Sequence, residues 1–162
     1  MASVLAALGE EKAEKWAKDM VANFAKRPQG NDRAQVKAIH EGECEIALIN
    51  NYYFGKLKFS EDPEQRKWAE SVRLVFPNQA EGDRGAHVNI SGGGIAKFSK
   101  NKEEAQKLLE FLTSEKAQKL YGEINFEYPA NLKIEPGDEL KSWGSFRAVS
   151  YTHLTLPTNR EV

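Results

Sequence analysis

Two adjacent tyrosines, Tyr52 and Tyr53, follow the apolar run 44–49 and are the residues in this sequence best suited to chemistry. A short apolar run rich in β-branched residues predicts a strand buried on both faces, with 50–55 as the loop at its carboxyl end. Neighbouring side chains on a strand point to opposite faces, whereas on a loop both phenol oxygens can turn toward one point. A chelating pair needs that geometry.

Two phenolate oxygens would suit a hard, highly charged cation. Fe³⁺ can keep a phenolate ionised at a pH well below the free tyrosine pKa of about 10. Two phenolates therefore suit ferric iron better than zinc or calcium. Adjacent tyrosines also commonly serve as packing groups with a polar rim. The pair alone therefore leaves both a metal site and a packing role open.

The other candidate residues favour structural roles. His40 lies on the polar flank of a predicted helix, so we expect its side chain to be solvated. His87 alternates with Val88 on a predicted strand, which favours a structural or exposed position over a catalytic one. Cys44 is the single cysteine, so it forms no internal disulfide, and we expect it to be a small residue of the core. The glycine run 92–94 lacks the ending of a nucleotide-binding loop. No local spacing assembles a catalytic set, so we expect no enzyme.

Composition excludes several further classes of protein. The 162 residues carry 23 basic and 24 acidic side chains, interspersed along the chain, whereas nucleic-acid binding would require a basic stripe. No apolar run approaches the roughly 18 residues that would cross a bilayer, so no membrane insertion is expected. The first residues also lack the basic region of a signal peptide.

Helical patterns recur along the chain. Apolar residues at helical spacing predict a helix from about residue 10 that ends before Pro28. Asn31 or Asp32 can cap a second helix that stops at Gly42. Asp62-Pro63 opens a third helix, and two more follow from about residues 101 and 114.

Strands are predicted between these helices, at 44–49, 72–76 and 87–90. Alternating helices and strands with short connections are typical of an α/β domain with a mainly parallel or mixed sheet flanked by helices. In such sheets ligands gather beyond the carboxyl ends of the strands, which is where the tyrosine pair was predicted to lie. Residues 151–162 share none of this pattern and resemble translated sequencing-adapter DNA, so we exclude them as a non-native tail.

Most of the chain before that tail resembles the ferric-iron-binding proteins of bacterial ABC uptake systems. The segments that carry the resemblance are 26–39, 42–53, 76–79, 85–92, 107–112 and 125–129. The resemblance implies a two-lobed periplasmic binding protein that clamps Fe³⁺ between its lobes and delivers it to a membrane permease powered by an ATPase. The paired tyrosines of the family fall on Tyr52 and Tyr53, which it implies are metal ligands.

The resemblance also implies an incomplete two-lobed protein. Residues 1–84 would belong to the second lobe with the tyrosine pair, and 85–150 would hold an interlobe crossing strand and the C-terminal helices. The remaining iron ligands and the secretory signal of the family would lie upstream of Met1. In some members a phosphate or carbonate completes the iron shell, and the matching anion contacts here would be Asn31 or Asp32, and Asn50.

Three alternatives accompany this hypothesis. In the first, the same architecture binds a non-metal anion or another small solute, and the tyrosines stack or donate hydrogen bonds without chelating. In the second, a similar α/β lobe forms an enzyme, for instance a transferase. In the third, the truncated chain is inactive, since a severed lobe exposes surface that is normally buried and leaves sheet edges unpaired.

Overall fold

The computed structural model describes residues 2–149 and shows helices joined by extended segments. In chain order these are α1 (Ala2–Leu8), α2 (Glu10–Ala22), α3 (Asp32–His40), α4 (Asn51–Lys58), α5 (Pro63–Glu70), α6 (Lys102–Leu112), α7 (Glu115–Leu120), a π-helical turn (Tyr121–Asn125) and α8 (Asp138–Ser142). None of the helices in this part of the chain is long and apolar enough to cross a membrane. The predicted tail, 151–162, lies outside the described residues.

Side-chain caps start several helices where the sequence predicts them. The Asn31 side chain accepts a hydrogen bond from the Ala34 amide at 3.2 Å, so it caps α3. Asp62 caps α5 by accepting from the Glu64 amide at 2.9 Å, with proline in the first helical turn. Such caps satisfy amides that have no partner within the helix. These predicted helix starts are confirmed.

The prediction that 50–55 forms a loop was wrong, because α4 begins at Asn51. Asn50 is extended, with φ −76° and ψ 133°, and the chain turns into the helix immediately after it. Phe54 and Leu57 lie three residues apart and therefore share one face of that helix. Both pack into an apolar cluster, which makes helix the favourable conformation for this segment.

The predicted sheet is not confirmed. Between residues 2 and 149 the structure forms no strand ladder, only an isolated parallel bridge between Ala86 and Ala148. The segments 44–49, 72–76 and 87–90 contain none of the predicted strands. Strand conformation is stabilised by hydrogen bonds to a neighbouring strand, and these segments find no such neighbour among the described residues.

The core beneath α4 is formed by α3, α4 and α5. Val36, Leu57 and Ala69, one from each helix, are buried together, with at most 4% of each residue exposed. Ile49, Phe54, Trp68 and Val72 pack against this cluster. This cluster holds the start of α4 beside the start of α3.

A second set of contacts holds the opposite end of α4. The Phe126 ring packs directly over Gly55, and it stacks on Phe59 with ring centroids 5.5 Å apart. Lys58 donates to both carboxylate oxygens of Glu139 at 2.8 Å, which ties α4 to α8. Helix α4 is therefore fixed along its whole length.

Candidate metal centre

Tyr52 and Tyr53 lie in the first turn of α4. Successive residues of a helix are rotated by about 100°, so adjacent side chains do not converge by default. Here the two ring centroids are nevertheless 4.3 Å apart, with 34° between the ring planes. Both side chains are half-buried. The structure thus brings the two phenols together, although on a helix and not on the predicted loop.

The two hydroxyl groups interact strongly. A hydrogen bond with Tyr53 raises the pKa of Tyr52 to about 12, and partial burial and the negative charges of Tyr53, Asp32 and Glu127 act in the same direction. Tyr52 therefore keeps its proton at neutral pH when no cation is present. A multiply charged cation would have to displace that proton, as metal ions commonly do with coordinating acids.

Two basic side chains flank the aromatic rings. The ammonium nitrogen of Lys56 lies 5.3 Å from the ring centroid of Tyr52, and the guanidinium carbon of Arg33 lies 5.6 Å from that of Tyr53. Cations at this distance are attracted to the ring faces. The buried Nε of Arg33 has no hydrogen-bond partner among the described residues. Two cationic groups therefore lie beside the rings, in addition to the negative charges of Asp32 and Glu127 that act on Tyr52.

Sequence reasoning missed both of these residues. Lys56 follows Tyr52 by four positions, which on a helix places the two on one face, so the signal was available once α4 is recognised. Arg33 precedes Tyr53 by twenty positions, and no local pattern relates the two.

The three residues predicted to contact an anion lie at the starts of two helices. Asp32 and Asn50 are brought together, because Asp32 Oδ1 accepts hydrogen bonds from Asn50 N at 2.7 Å and from Asn50 Nδ2 at 3.2 Å. Asn89 Nδ2 donates to Asn50 Oδ1 at 3.2 Å. Asn31 instead uses its side chain to cap its own helix. The Asp32 and Asn50 side chains are thus already engaged with the protein.

The remaining sequence candidates in the described part of the chain are exposed or half-buried. His40 is exposed, as predicted, and Cys44 is half-buried and not in a disulfide. His87 is exposed, and its Nε2 lies 2.8 Å from Asn89 Oδ1. Within residues 2–149 no group of three or more His, Cys, Asp or Glu side chains is arranged to hold a metal ion. His153 lies outside the described residues.

Tyr52 and Tyr53 are partly exposed. Two clefts in the described part of the chain lie between α7, the π-helical turn and α8, and neither is lined by Tyr52 or Tyr53. A cation at the pair would therefore meet two phenols from this chain while its other side remained open to further ligands.

Residues 4–148 match the family of bacterial extracellular solute-binding proteins. The chain is 47% identical to iron uptake protein A1 of Synechocystis sp. over 148 residues, which is 91% of this chain and 41% of that protein. It is also 33% identical to the major ferric iron-binding protein of Neisseria meningitidis over 123 residues, 76% of this chain and 35% of that one.

Solved structures of such proteins have the same fold. A Trichodesmium protein in complex with iron and citrate ligands superposes with a TM-score of 0.85 and is 47% identical, covering 91% of this chain and 46% of that one. Ferric iron-binding protein A of Mannheimia haemolytica, in an open conformation, gives a TM-score of 0.84 at 46% identity, covering 92% of this chain and 46% of that one. This chain spans less than half the length of these relatives.

These comparisons confirm the resemblance to ferric-iron-binding proteins that the sequence indicated. The matching family is one of solute-binding proteins and not one of enzymes. The chain belongs to the bacterial extracellular solute-binding proteins, and its relatives include proteins named for iron uptake and for ferric iron binding.

Proposed function

We propose that this chain supplies part of a ferric-iron site, with the phenolates of Tyr52 and Tyr53 as ligands, in the substrate-binding component of an iron ABC importer. The observation that carries the proposal is the convergence of the two partly exposed phenol rings, whose centroids are 4.3 Å apart. Relatives named for iron uptake and ferric iron binding support the choice of metal.

The chemistry follows from charge. Neutral Tyr52 and Tyr53 have one weak acceptor oxygen each, whereas Fe³⁺ favours anionic oxygen donors. Binding as two phenolates therefore requires loss of both phenol protons, that of Tyr52 against a pKa of about 12, and the trivalent charge provides the driving force. Lys56 and Arg33, which lie over the two rings, offset the negative charge that the phenolates acquire.

The rest of the transport function is proposed on the same basis. Two phenolates fill part of the iron shell, so the other ligands would come from outside this chain, and the tyrosine pair alone would bind weakly. Closure of the other lobe, which lies outside this chain, would complete the site and exclude water. The periplasm is the proposed compartment, and an inner-membrane permease is the proposed partner. The division of the chain near residue 84 remains a prediction.

A phosphate or carbonate anion could complete the shell, with Asn31, Asp32 and Asn50 as the predicted contacts. These three residues lie near the amide-rich starts of α3 and α4, where anions are stabilised. The negative charge of Asp32 opposes such an anion. The anion therefore belongs to the proposal and is tested by adding phosphate or carbonate to the titration below.

Titration of the chain with ferric nitrilotriacetate tests the iron site. Nitrilotriacetate occupies most of the iron shell and leaves positions for two phenolates, so it suits an open two-tyrosine site. We expect a visible phenolate-to-iron charge-transfer band that disappears when Tyr52→Phe and Tyr53→Phe are combined. A Tyr128→Phe variant is the matched control and should keep the band. Absence of the band, or its survival in the double variant, would overturn the iron assignment.

A second candidate is binding of an anionic solute without a metal. The buried Nε of Arg33 favours it, because this group is a hydrogen-bond donor without a partner among the described residues. Calorimetric titration with citrate or phosphate in metal-free buffer separates the two. Binding that needs no iron and is lost in Arg33→Met would support the second candidate, whereas heat evolved only with ferric nitrilotriacetate would support the first.

A further inference from the structure

The side chain that begins α4 does not cap it. Asn50 occupies the position before the helix, where an asparagine side chain commonly accepts a hydrogen bond from an amide of the first turn. Here it makes no such bond. Its side chain instead donates to Asp32 at 3.2 Å and accepts from Asn89 at 3.2 Å. The start of α4 is therefore held from outside the helix.

Asp32 is the main anchor of this arrangement. Its Oδ1 accepts the backbone amide of Asn50 at 2.7 Å, a short, charge-assisted hydrogen bond in a partly buried position. Asp32 is also the first residue of α3, so one carboxylate lies at the amino-terminal ends of two helices. Both helix dipoles favour a negative charge there. The carboxylate thus fixes α3 and α4 relative to each other.

The tyrosine pair follows directly from that anchored residue. The carbonyl of Asn50 accepts the backbone amide of Tyr53 at 3.1 Å, which closes the first turn of α4. Tyr52 lies between them in the same turn. Any rotation of the Asn50 peptide would therefore change the direction in which both phenols leave the helix. Asp32 and Asn50 are 18 positions apart in the chain, which makes this a tertiary constraint and not a local one.

We propose that Asp32 is a positioning residue that holds the first turn of α4 so that Tyr52 and Tyr53 converge on one metal ion. The inference rests on the proposed iron site and differs from the sequence-based hypothesis that Asp32 contacts an anion. Its Oδ1 is already occupied by two donors from Asn50, and its charge would repel an anion. Groups that orient metal ligands are often as important to affinity as the ligands.

The test compares three variants of the full chain by ferric nitrilotriacetate titration and by iron release to excess citrate. Asp32→Ala should lower iron affinity by about tenfold or more, as loss of a ligand-orienting group typically does. It should also shift or broaden the charge-transfer band, because the angle between the phenolates changes. Asp32→Asn should stay close to wild type, since its amide oxygen can still accept the Asn50 amide.

Asp62→Ala is the matched control for loss of helix stability. Asp62 is also a carboxylate at a helix start, but it serves α5 and does not contact Asn50. Asp62→Ala should lower the melting temperature and leave the charge-transfer band unchanged. A band that changes in Asp32→Ala but not in an equally destabilised Asp62→Ala therefore identifies positioning.

The outcomes separate this inference from the proposed function. If wild type shows no charge-transfer band, the iron site itself fails. If wild type shows the band and Asp32→Ala matches it in wavelength and affinity, the positioning role is overturned and the iron site stands. If Asp32→Asn binds iron more tightly than wild type only when phosphate is added, Asp32 faces an anion and the positioning role is also overturned.

Discussion

Tyr52 keeps its proton because Tyr53 is beside it. Its pKa is raised to about 12 first by the hydrogen bond with Tyr53, and then by partial burial and nearby negative charge. Two phenols in contact cannot both ionise easily, as with other pairs of acids that share a site. The same proximity that hinders ionisation in the metal-free protein provides two oxygen donors when a cation displaces the protons of both phenols.

Tyr53→Phe should lower the pKa of Tyr52 from about 12 toward the ordinary tyrosine value of about 10, because the hydrogen bond and the second negative charge are lost. NMR of ring-labelled tyrosine as a function of pH measures this shift. Tyr128 is the internal control, since burial raises its pKa independently of the pair, and its titration should not move. An unchanged Tyr52 titration in Tyr53→Phe would contradict the assignment.

The raised pKa of Tyr52 also makes the free energy of unfolding depend on pH in a defined direction. A folded-state pKa of about 12 against an unfolded value of about 10 means that the fold favours protonated Tyr52. That contribution is fully present below pH 10 and is lost as the pH rises through about 12. The decline of unfolding free energy in this window should therefore be shallower in Tyr53→Phe than in wild type.

At the scale of elements, α4 is positioned by contacts on two sides. Val36 and Ala69 of the neighbouring helices cover Leu57 on one side, and Phe126 covers Gly55 on the other. Phe126 itself has a φ of 58°, which is uncommon for a residue other than glycine. Its backbone conformation is retained because the ring is buried against α4. The tyrosine turn depends on this packing.

Gly55→Ala should destabilise the protein although alanine is the better helix former. Helix propensity alone would favour alanine by about 1 kcal/mol. A Cβ at this position, however, would lie 2.3 Å from Cγ of the rigid Phe126 ring, so the ring or the helix must shift. We expect a net loss of about 1–3 kcal/mol in urea unfolding, the usual range for overpacking.

Gly92→Ala serves as the control for this substitution. A Cβ at Gly92 would meet nothing within 4 Å, and its φ is not in the left-handed region. Its unfolding midpoint should therefore stay near that of wild type. A Gly55→Ala protein at least as stable as wild type would refute the packing described for α4.

At the scale of the whole molecule, the extended segments expose apolar side chains. Ile46 and Leu48 are 84% and 68% exposed, and Val75 and Ile90 are 78% and 83% exposed. All four fall in segments that the sequence predicts as strands. Apolar side chains on extended backbone without a neighbouring strand form a surface that favours association.

We therefore expect the chain to self-associate as its concentration rises. Sedimentation velocity over a concentration series should show species heavier than the monomer. Replacing Ile46 and Leu48 together by threonine should reduce association, because it removes exposed apolar surface while placing residues that favour extended backbone at both positions. Replacing Lys12 and Lys15 of α2 by threonine is the control and should not reduce it. A monodisperse, cooperatively melting monomer of the unmodified chain would contradict this prediction.

Local signals in the sequence determined several features by themselves. The tyrosine pair, the caps at Asn31 and Asp62, and the amphipathic helices are all encoded within a few residues, so pattern and propensity suffice to find them. The segment resemblances carried the family assignment, which the comparisons confirmed. These features need no knowledge of what packs against them.

Only the tertiary structure decided how the tyrosines are presented. The apolar segment before them predicts a strand followed by a loop, but a strand requires a neighbouring strand. The segment that follows forms a helix instead, because the helix buries the Leu57 side chain in the core. Contacts between Asp32 and Asn50, Arg33 and Tyr53, and Phe126 and Gly55 join residues far apart in the chain. No local pattern encodes such contacts, because they arise only when separate helices pack together.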